Sequence, residues 1–517
     1  MKYPIGIQTF DKIIEGGYVY VDKTDLVHKL VTTGEYYFLS RPRRFGKSLL
    51  TTTLEAYFQG KKDLFKGLAM ENLEKDWVEY PVFHIDFTGE SYSDGKVLNA
   101  VINSFLTKQE KIYGCDEPET SLGLRFMNVV IKAYEKTGKK VVILIDEYDK
   151  PLTDTIGMPE VQDQNRTILQ SFYGIMKKAD QYIRFAFLTG VTRYGKLGIF
   201  SAANNPDDIS MSKKYASICG ITENELHKYF DDEIKEFAEE ENVSKEQMYE
   251  RLKRKYDGYH FCVNSEDIYN PFSLLGALKS RALENKWFAT GTPTYLTKIL
   301  SKSDIVFPEF DDNLMASEEM IASFGNGESN IIAAMYQSGY LTIKSSQDGF
   351  YYLGFPNEEV SSGFTQMLLP NYVDSTTSDR KDLDLIKLKR YILSDDAEAF
   401  MFQIQQIMSQ IPFESNKTKL IEANFRNMIY LMIRFSGFKA AVELPRLGGR
   451  IDVFFETNKR AYVIECKRDK SADEALKQID LKKYVQKISS ADKPVVKIGA
   501  NFSTEERNIV EWKVEEN

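Results

Sequence analysis

Lys47 and Ser48 directly follow Gly46 in the stretch YYFLSRPRRFGKSLL, residues 36–50. A glycine-lysine-serine triplet between an apolar strand and a helix is the end of a phosphate-binding loop. Each residue type has a task there. Glycine permits a tight backbone turn, the lysine ammonium reaches the terminal phosphates, and the serine hydroxyl ligates Mg2+. The helix that follows presents unpaired N–H groups and the positive end of its dipole to an anion. The motif G-x-x-x-x-G-K-[ST] asks for glycine at position 41, and this chain has Arg41. Arginine lacks the backbone freedom of glycine. Further along, the apolar run VVILIDEYDKP (141–151) ends its strand in Asp146 and Glu147. Asp146 is suited to the water shell of Mg2+, and Glu147 to orienting or deprotonating an attacking water. The triplet alone fits a basic turn equally well. The two segments together, in this order and each in its context, point to a nucleotide phosphate site.

A third segment joins them. The strand RFAFLTG (184–190) runs on into VTRYGK. Thr189 or Thr192 could sense a terminal phosphate from the neighbouring strand. Arg193 could supply charge, in its own subunit or in a neighbour, and a surface salt bridge explains it equally well. Arg43 and Arg44 offer paired bonds to phosphate oxygens. The alternative for both is pairing with acidic neighbours.

A second set of reactive residues lies near the other end of the chain. Asp452 is in the strand IDVFFE, and Glu465 and Lys467 are in the next apolar strand, YVIECKR. Side chains alternate along a strand with period two, so Glu465 and Lys467 share a face and Cys466 points to the other. Antiparallel pairing would bring Asp452 beside them. Two carboxylates can hold Mg2+, and a lysine can position water or stabilise charge developing on phosphate. The pattern D…E-x-K is short, and two solvated strands with ion pairs would also produce it. Glu422 lies on the preceding helix and Gln478 on the following one.

These residues need elements to position them. Residues 1–215 alternate apolar strands (YYFLS, PVFHIDF, KVVILID, RFAFLTG) with helical patterns, which predicts a parallel sheet covered on both faces. Residues 216–375 read as a helical middle or lid region. Near its end IIAAMYQSGYLTIKSSQDGFYYLGFP predicts a helix and then a β-hairpin, an order shared with winged helices. Residues 373–384 read as a linker. Residues 385–517 form a compact α/β unit with a turn at 457–459. At 517 residues the chain has room for roughly three domains of about 150 residues.

Composition narrows the function. The net charge of −9 speaks against a general basic coat but leaves room for a local basic groove. Four dispersed cysteines suggest neither a disulfide framework nor a thiolate zinc site, and four histidines show no ligand spacing. The start MKYPIGIQTF has no apolar core, and no apolar run approaches a membrane span, so a soluble, cytoplasmic protein is expected.

The segments YVDKT (20–24), FLSRPRRFGKS, ILIDEYDKPL, FLTGVTR, YDGYHF (256–261), YNPFSLL (269–275) and WFATGTPTYL (287–296) resemble the AAA-ATPase-like family. In that family an N-terminal P-loop domain carries a C-terminal PD-(D/E)XK nuclease-like domain, and the likeness covers nearly the whole chain. The resemblance implies ATP and Mg2+ as cofactors despite Arg41, because an arginine-rich loop replaces the first glycine there. It implies a binding segment Arg43-Arg44-Phe45-Gly46-Lys47-Ser48 with Asp146, Thr189 and Arg193, and catalysis by Glu147. At the second site it implies Asp452, Glu465 and Lys467 on a restriction-endonuclease-like α/β domain, with Ile451 where the motif has proline. The expected function is an ATP-driven or ATP-gated enzyme acting on DNA, with oligomerisation open. The alternative is an ATP-gated switch whose nuclease-like domain binds nucleic acid or a partner without cutting.

Overall fold

The computed structural model describes residues 1–115, 121–193, 206–287, 296, 314–322, 331–368, 378–409, 422–438, 440–446, 449–481 and 493–516, less the side chains of 365–368, 378–383, 385, 422–425, 427, 435, 443–446 and 449. Of the segment 287–296, only Trp287 and Leu296 are among the described residues. The chain divides into two compact units, Met1–Lys302 with Asp312–Val360, and Ser303–Asp311 with Ser361–Asn517.

The first unit is built on a five-stranded sheet of β1 (Tyr36–Ser40), β2 (Val82–Asp86), β3 (Val141–Asp146), β4 (Ile183–Gly190) and β5 (Asp207–Asp208), in the order β2-β3-β4-β1-β5. Every pairing is parallel. The run Val141–Asp146 is buried at every residue, as a parallel strand covered on both faces must be. Helix α1 (Lys47–Phe58) packs against β2, β3 and β4, and α2 (Leu122–Thr137) packs against β3. Parallel strands bring their carboxyl ends to one edge, the edge at which open α/β sheets take ligands.

The helix-rich part of this unit follows. Helices α3 (Glu223–Glu240) and α4 (Lys245–Tyr256) each open with a capping box, Thr222 with Glu225 and Ser244 with Gln247. With α5 (Pro271–Ser280) they enclose a core of Phe230, Ile234, Leu252, Tyr256 and Leu274. Tyr3, Val19 and Val21 pack on that core, so the N-terminal segment and the helices share it. Helix α6 (Ile331–Ser338) leads into the hairpin β7 (Thr342–Gln347) and β8 (Phe350–Gly354), and β6 (Leu314–Ala316) completes a three-stranded antiparallel sheet.

The second unit is also α/β. Its sheet runs in sequence order through β9 (Ala440–Arg446), β10 (Gly449–Glu456), β11 (Ala461–Arg468), β12 (Val495–Ser503) and β13 (Asn508–Glu516). Only β11 with β12 is parallel; the other pairs are antiparallel. Helices α7 (Ser378–Leu393), α8 (Ala397–Met408) and α9 (Glu422–Phe435) lie ahead of it in the chain. Helix α10 (Ala472–Leu481) packs on β11 and β12. Of the expected linker at 373–384, residues 373–377 lie outside the described residues and 378–384 are corrected to helix, because α7 begins at Ser378. Leu388 and Ile392 bury one face of that helix. Among the described residues no helix is long and apolar enough to cross a membrane.

Candidate active sites

Strand β1 delivers the loop 41–46 to the carboxyl edge of the sheet. Two residues of the loop take positive φ, Arg44 at 68° and Gly46 at 92°. Alternating left-handed residues turn successive N–H groups inward as an anion-binding concavity. Arg41 is not among the positive-φ residues, so nothing at that position asks for glycine. The residue is 1% exposed and its side chain turns into the protein. It donates to the carbonyls of Ser40, Ser210, Tyr215 and Ala216 and lies 4.0 Å from the Phe261 ring centroid.

Helix α1 starts at Lys47. The ammonium is buried, 3.2 Å from Glu147 and within hydrogen-bond reach of the Arg41 and Pro42 carbonyls, at 3.2 and 3.4 Å. Ser48 hydrogen-bonds Asp146, which closes β3 opposite Asp86 of β2. Burial, and then the Glu147 charge, push the Asp146 carboxyl up to about 6, while the Ser48 bond works the other way. Glu147 itself holds a left-handed backbone, φ 51°, an uncommon conformation for a residue with a Cβ. The structure therefore brings Lys47, Ser48, Asp146 and Glu147 together. A cleft of about 490 Å³ opens over Gly46, Lys47, Ser48 and Glu147 and is also lined by Arg43 and Arg44. An apolar pocket of about 100 Å³ shares Pro4, Gly46, Leu49, Pro271 and Leu275 with it.

The remaining expected residues are placed as follows. Arg43 and Arg44 form no ion pair among the described residues; Arg44 lies 4.9 Å from the ring centroid of Phe272, another wall of the cleft. Phe45 is buried edge-on against Tyr259 and Phe261 and borders the apolar pocket. Thr189 is buried on β4, outside the lining of the cleft. Arg193 is paired at 2.6 Å with Asp208 and borders a different, 40 Å³ cavity. Thr192 is taken up by Asp149, whose buried carboxylate also accepts from the Val191 and Thr192 amides. Sequence reasoning passed over Asp149, although a further carboxylate three residues beyond Asp146 was a visible signal. It quoted Trp287 within a family segment but gave it no role; its indole donates to the Arg43 carbonyl at 3.0 Å.

The second set gathers on β10 and β11. Their antiparallel register, Val453 with Ile464, sets Asp452 opposite Glu465 one step further on. Asp452 accepts from the Cys466 amide at 2.8 Å, and Arg426 of α9 reaches its other oxygen at 3.5 Å. Glu465, 1% exposed, is 3.2 Å from Lys467 and accepts from Gln478 of α10. Cys466 is fully buried on the opposite face. Glu422 opens α9, and its side chain lies outside the described residues. Arg426 was missed; an arginine in the first half of the helical stretch 422–435, ahead of the apolar run Met428–Ile433, was the signal. Among the described residues no three His, Cys, Asp or Glu side chains converge on one point. The oxygen-only donors at both sites, Ser48 with Asp146 and Asp452 with Glu465, suit Mg2+, which keeps several waters and takes few protein ligands.

A parallel five-stranded sheet with a phosphate-type loop at its carboxyl edge, joined in one chain to a mixed sheet with paired carboxylates, defines a P-loop ATPase-like protein with a nuclease-like unit. Residues 4–200 match the family described as "Predicted AAA-ATPase", and residues 420–512 match the "PD-(D/E)XK nuclease superfamily". The chain belongs to this family of predicted AAA-ATPases with a PD-(D/E)XK nuclease superfamily domain. It is similar to the "Uncharacterized protein in vnfD 5'region" of Azotobacter chroococcum mcd 1, with 34% identity over 525 residues, covering 99% of each chain.

Proposed function

We propose that the first unit binds and hydrolyses ATP and that the second cuts DNA phosphodiesters, each with Mg2+. The observation that carries this reading is the meeting of Lys47, Ser48, Asp146 and Glu147 at one end of the 490 Å³ cleft. Lys47, the loop amides, Arg43 and Arg44 hold the phosphates. Ser48 and Asp146 are the residues for Mg2+, and Glu147 orients and deprotonates the attacking water. The adjoining apolar pocket takes the base. Thr189 and Arg193 remain proposed phosphate sensors; Arg193 would first have to leave Asp208. At the second site Asp452 and Glu465 are the metal ligands. Lys467 positions the water or stabilises charge on the phosphate, with Gln478 and Glu422 in support. When bound, Mg2+ polarises phosphoryl oxygens and acidifies water. A protein with these substrates works in the cytoplasm.

A second reading, an ATP-held switch without cleavage, draws on the Lys47–Glu147 pair, which keeps the would-be base engaged. ATP hydrolysis by the purified protein, with and without DNA, separates the two. Hydrolysis stimulated by DNA and lost in Glu147→Gln supports the enzyme. ATP binding that persists without hydrolysis supports the switch. ATP binding that survives Lys47→Ala unchanged removes the phosphate site.

A further inference from the structure

Four charged side chains meet at the second site. Asp452 and Glu465 lie opposite each other on β10 and β11, an arrangement that repels when both are ionised. Arg426 stands against Asp452, with side-chain exposures of 9% and 12%. Lys467 stands against Glu465, with exposures of 12% and 1%. Charges this deep require partners, and here two cations match two carboxylates. Arg426 thus already offsets Asp452, and Lys467 offsets Glu465, before any metal enters. A divalent cation would add positive charge beside these two cations. A phosphodiester, which carries one negative charge, offsets part of that excess. Guanidinium groups also match phosphate oxygens with paired bonds.

We propose that Arg426 is the counter-ion that holds Asp452, so that a divalent cation loads tightly only together with a phosphodiester. Arg426 is then a positioning residue: it acts through Asp452 and ties metal affinity to the nucleic-acid substrate. The inference rests on the nuclease reading of this site. By linkage, the phosphodiester and the metal each tighten the binding of the other by the same factor.

Mn2+ is the probe, titrated into the nucleotide-free full chain with and without duplex DNA. Free Mn2+ is read by electron paramagnetic resonance, and Asp452→Asn supplies the background. The wild type is expected to gain about tenfold in Asp452-dependent Mn2+ affinity when DNA is added, a coupling of ordinary size. Arg426→Met is expected to bind Mn2+ about tenfold more tightly without DNA and to lose most of the gain with DNA. Arg426→Lys keeps the charge and should resemble the wild type. If Arg426→Met does not fold, Arg426→Gln, which retains a donor for Asp452, carries the same comparison. Arg426 variants that bind Mn2+ like the wild type, with the DNA gain intact, overturn the proposal and leave the metal site standing. No Asp452-dependent Mn2+ binding in the wild type, with or without DNA, overturns both.

Discussion

The guanidinium of Arg41 is surrounded by four carbonyl oxygens and the face of Phe261, so it joins the loop to the segment 210–216 and to the YDGYHF motif. Arg43, two residues on, has its side chain on the cleft, and its carbonyl accepts from Trp287. The two arginines should therefore respond oppositely to truncation. Arg41→Ala strands buried carbonyls and should cost about 3 kcal/mol or more of stability. Arg43→Ala should stay within about 0.5 kcal/mol in stability. It should weaken ATP binding about tenfold or more, the size of one charge-assisted hydrogen bond. Thermal unfolding beside nucleotide titration checks both; equal losses of stability would refute the division of labour. Asp257 gives the pH prediction. Burial, then Asp267 and Glu223, push its carboxyl from 3.8 to about 7, and the residue is 3% exposed. The folded state thus binds a proton that the unfolded state releases, so stability falls as pH rises from about 4 to 7 and levels off above. Linkage puts the ceiling of this loss at about 4 kcal/mol. Asp257→Asn should flatten that dependence and stabilise the protein at pH 8; an unchanged profile of melting temperature against pH would rule Asp257 out.

Among the elements, strands of the first sheet were legible where burial and composition agreed. β3 is an uninterrupted Val-Ile-Leu run, and β1, β2 and β4 are close to it. β5 was not legible: it is two aspartates long, and its pairing with β1 is a tertiary event. The hairpin of β7 and β8 was legible from Asp348-Gly349, both at positive φ, as a tight two-residue turn requires. In helix α6 before it, Ile331, Ile332 and Tyr336 are half-buried and the other residues buried. At the sites, Lys47, Asp146, Asp452 and Glu465 were legible from type and spacing. Arg426, Asp149 and Trp287 were visible as residue types, but their partners lie across long sequence separations and so were not. Gly46 and Gly349 make a comparison at this scale. Both need positive φ, and neither has an atom within 4 Å of an added Cβ. Alanine at either should cost about 1 kcal/mol, a purely conformational effect. Only Gly46→Ala should also weaken ATP binding strongly, because the loop amides would be re-aimed. Equal ATP affinities in the two variants would contradict the role given to the loop.

The whole molecule has two units, each with a hydrophobic core of its own. Phe230, Ile234 and Leu252 are part of the first, and Ile451, Val463 and Ile479 of the second. A proposed ligand belongs to each: ATP·Mg2+ to the cleft at Lys47, and a divalent cation with DNA to Asp452 and Glu465. A ligand that binds only folded protein adds RT ln(1 + [L]/Kd), which is about 2.7 kcal/mol at one hundred times Kd. That increment enters the unfolding equilibrium of whichever cooperative unit contains the site. Calorimetry should therefore show two transitions. ATP·Mg2+ should raise one of them by a few degrees, and Lys47→Ala should abolish that shift. Mn2+ with DNA should raise the other, and Asp452→Asn should abolish it. A single transition that both ligands move would show that the two cores melt as one, and the coupling between ATP and DNA would then have to be sought in shared stability rather than in two separable sites.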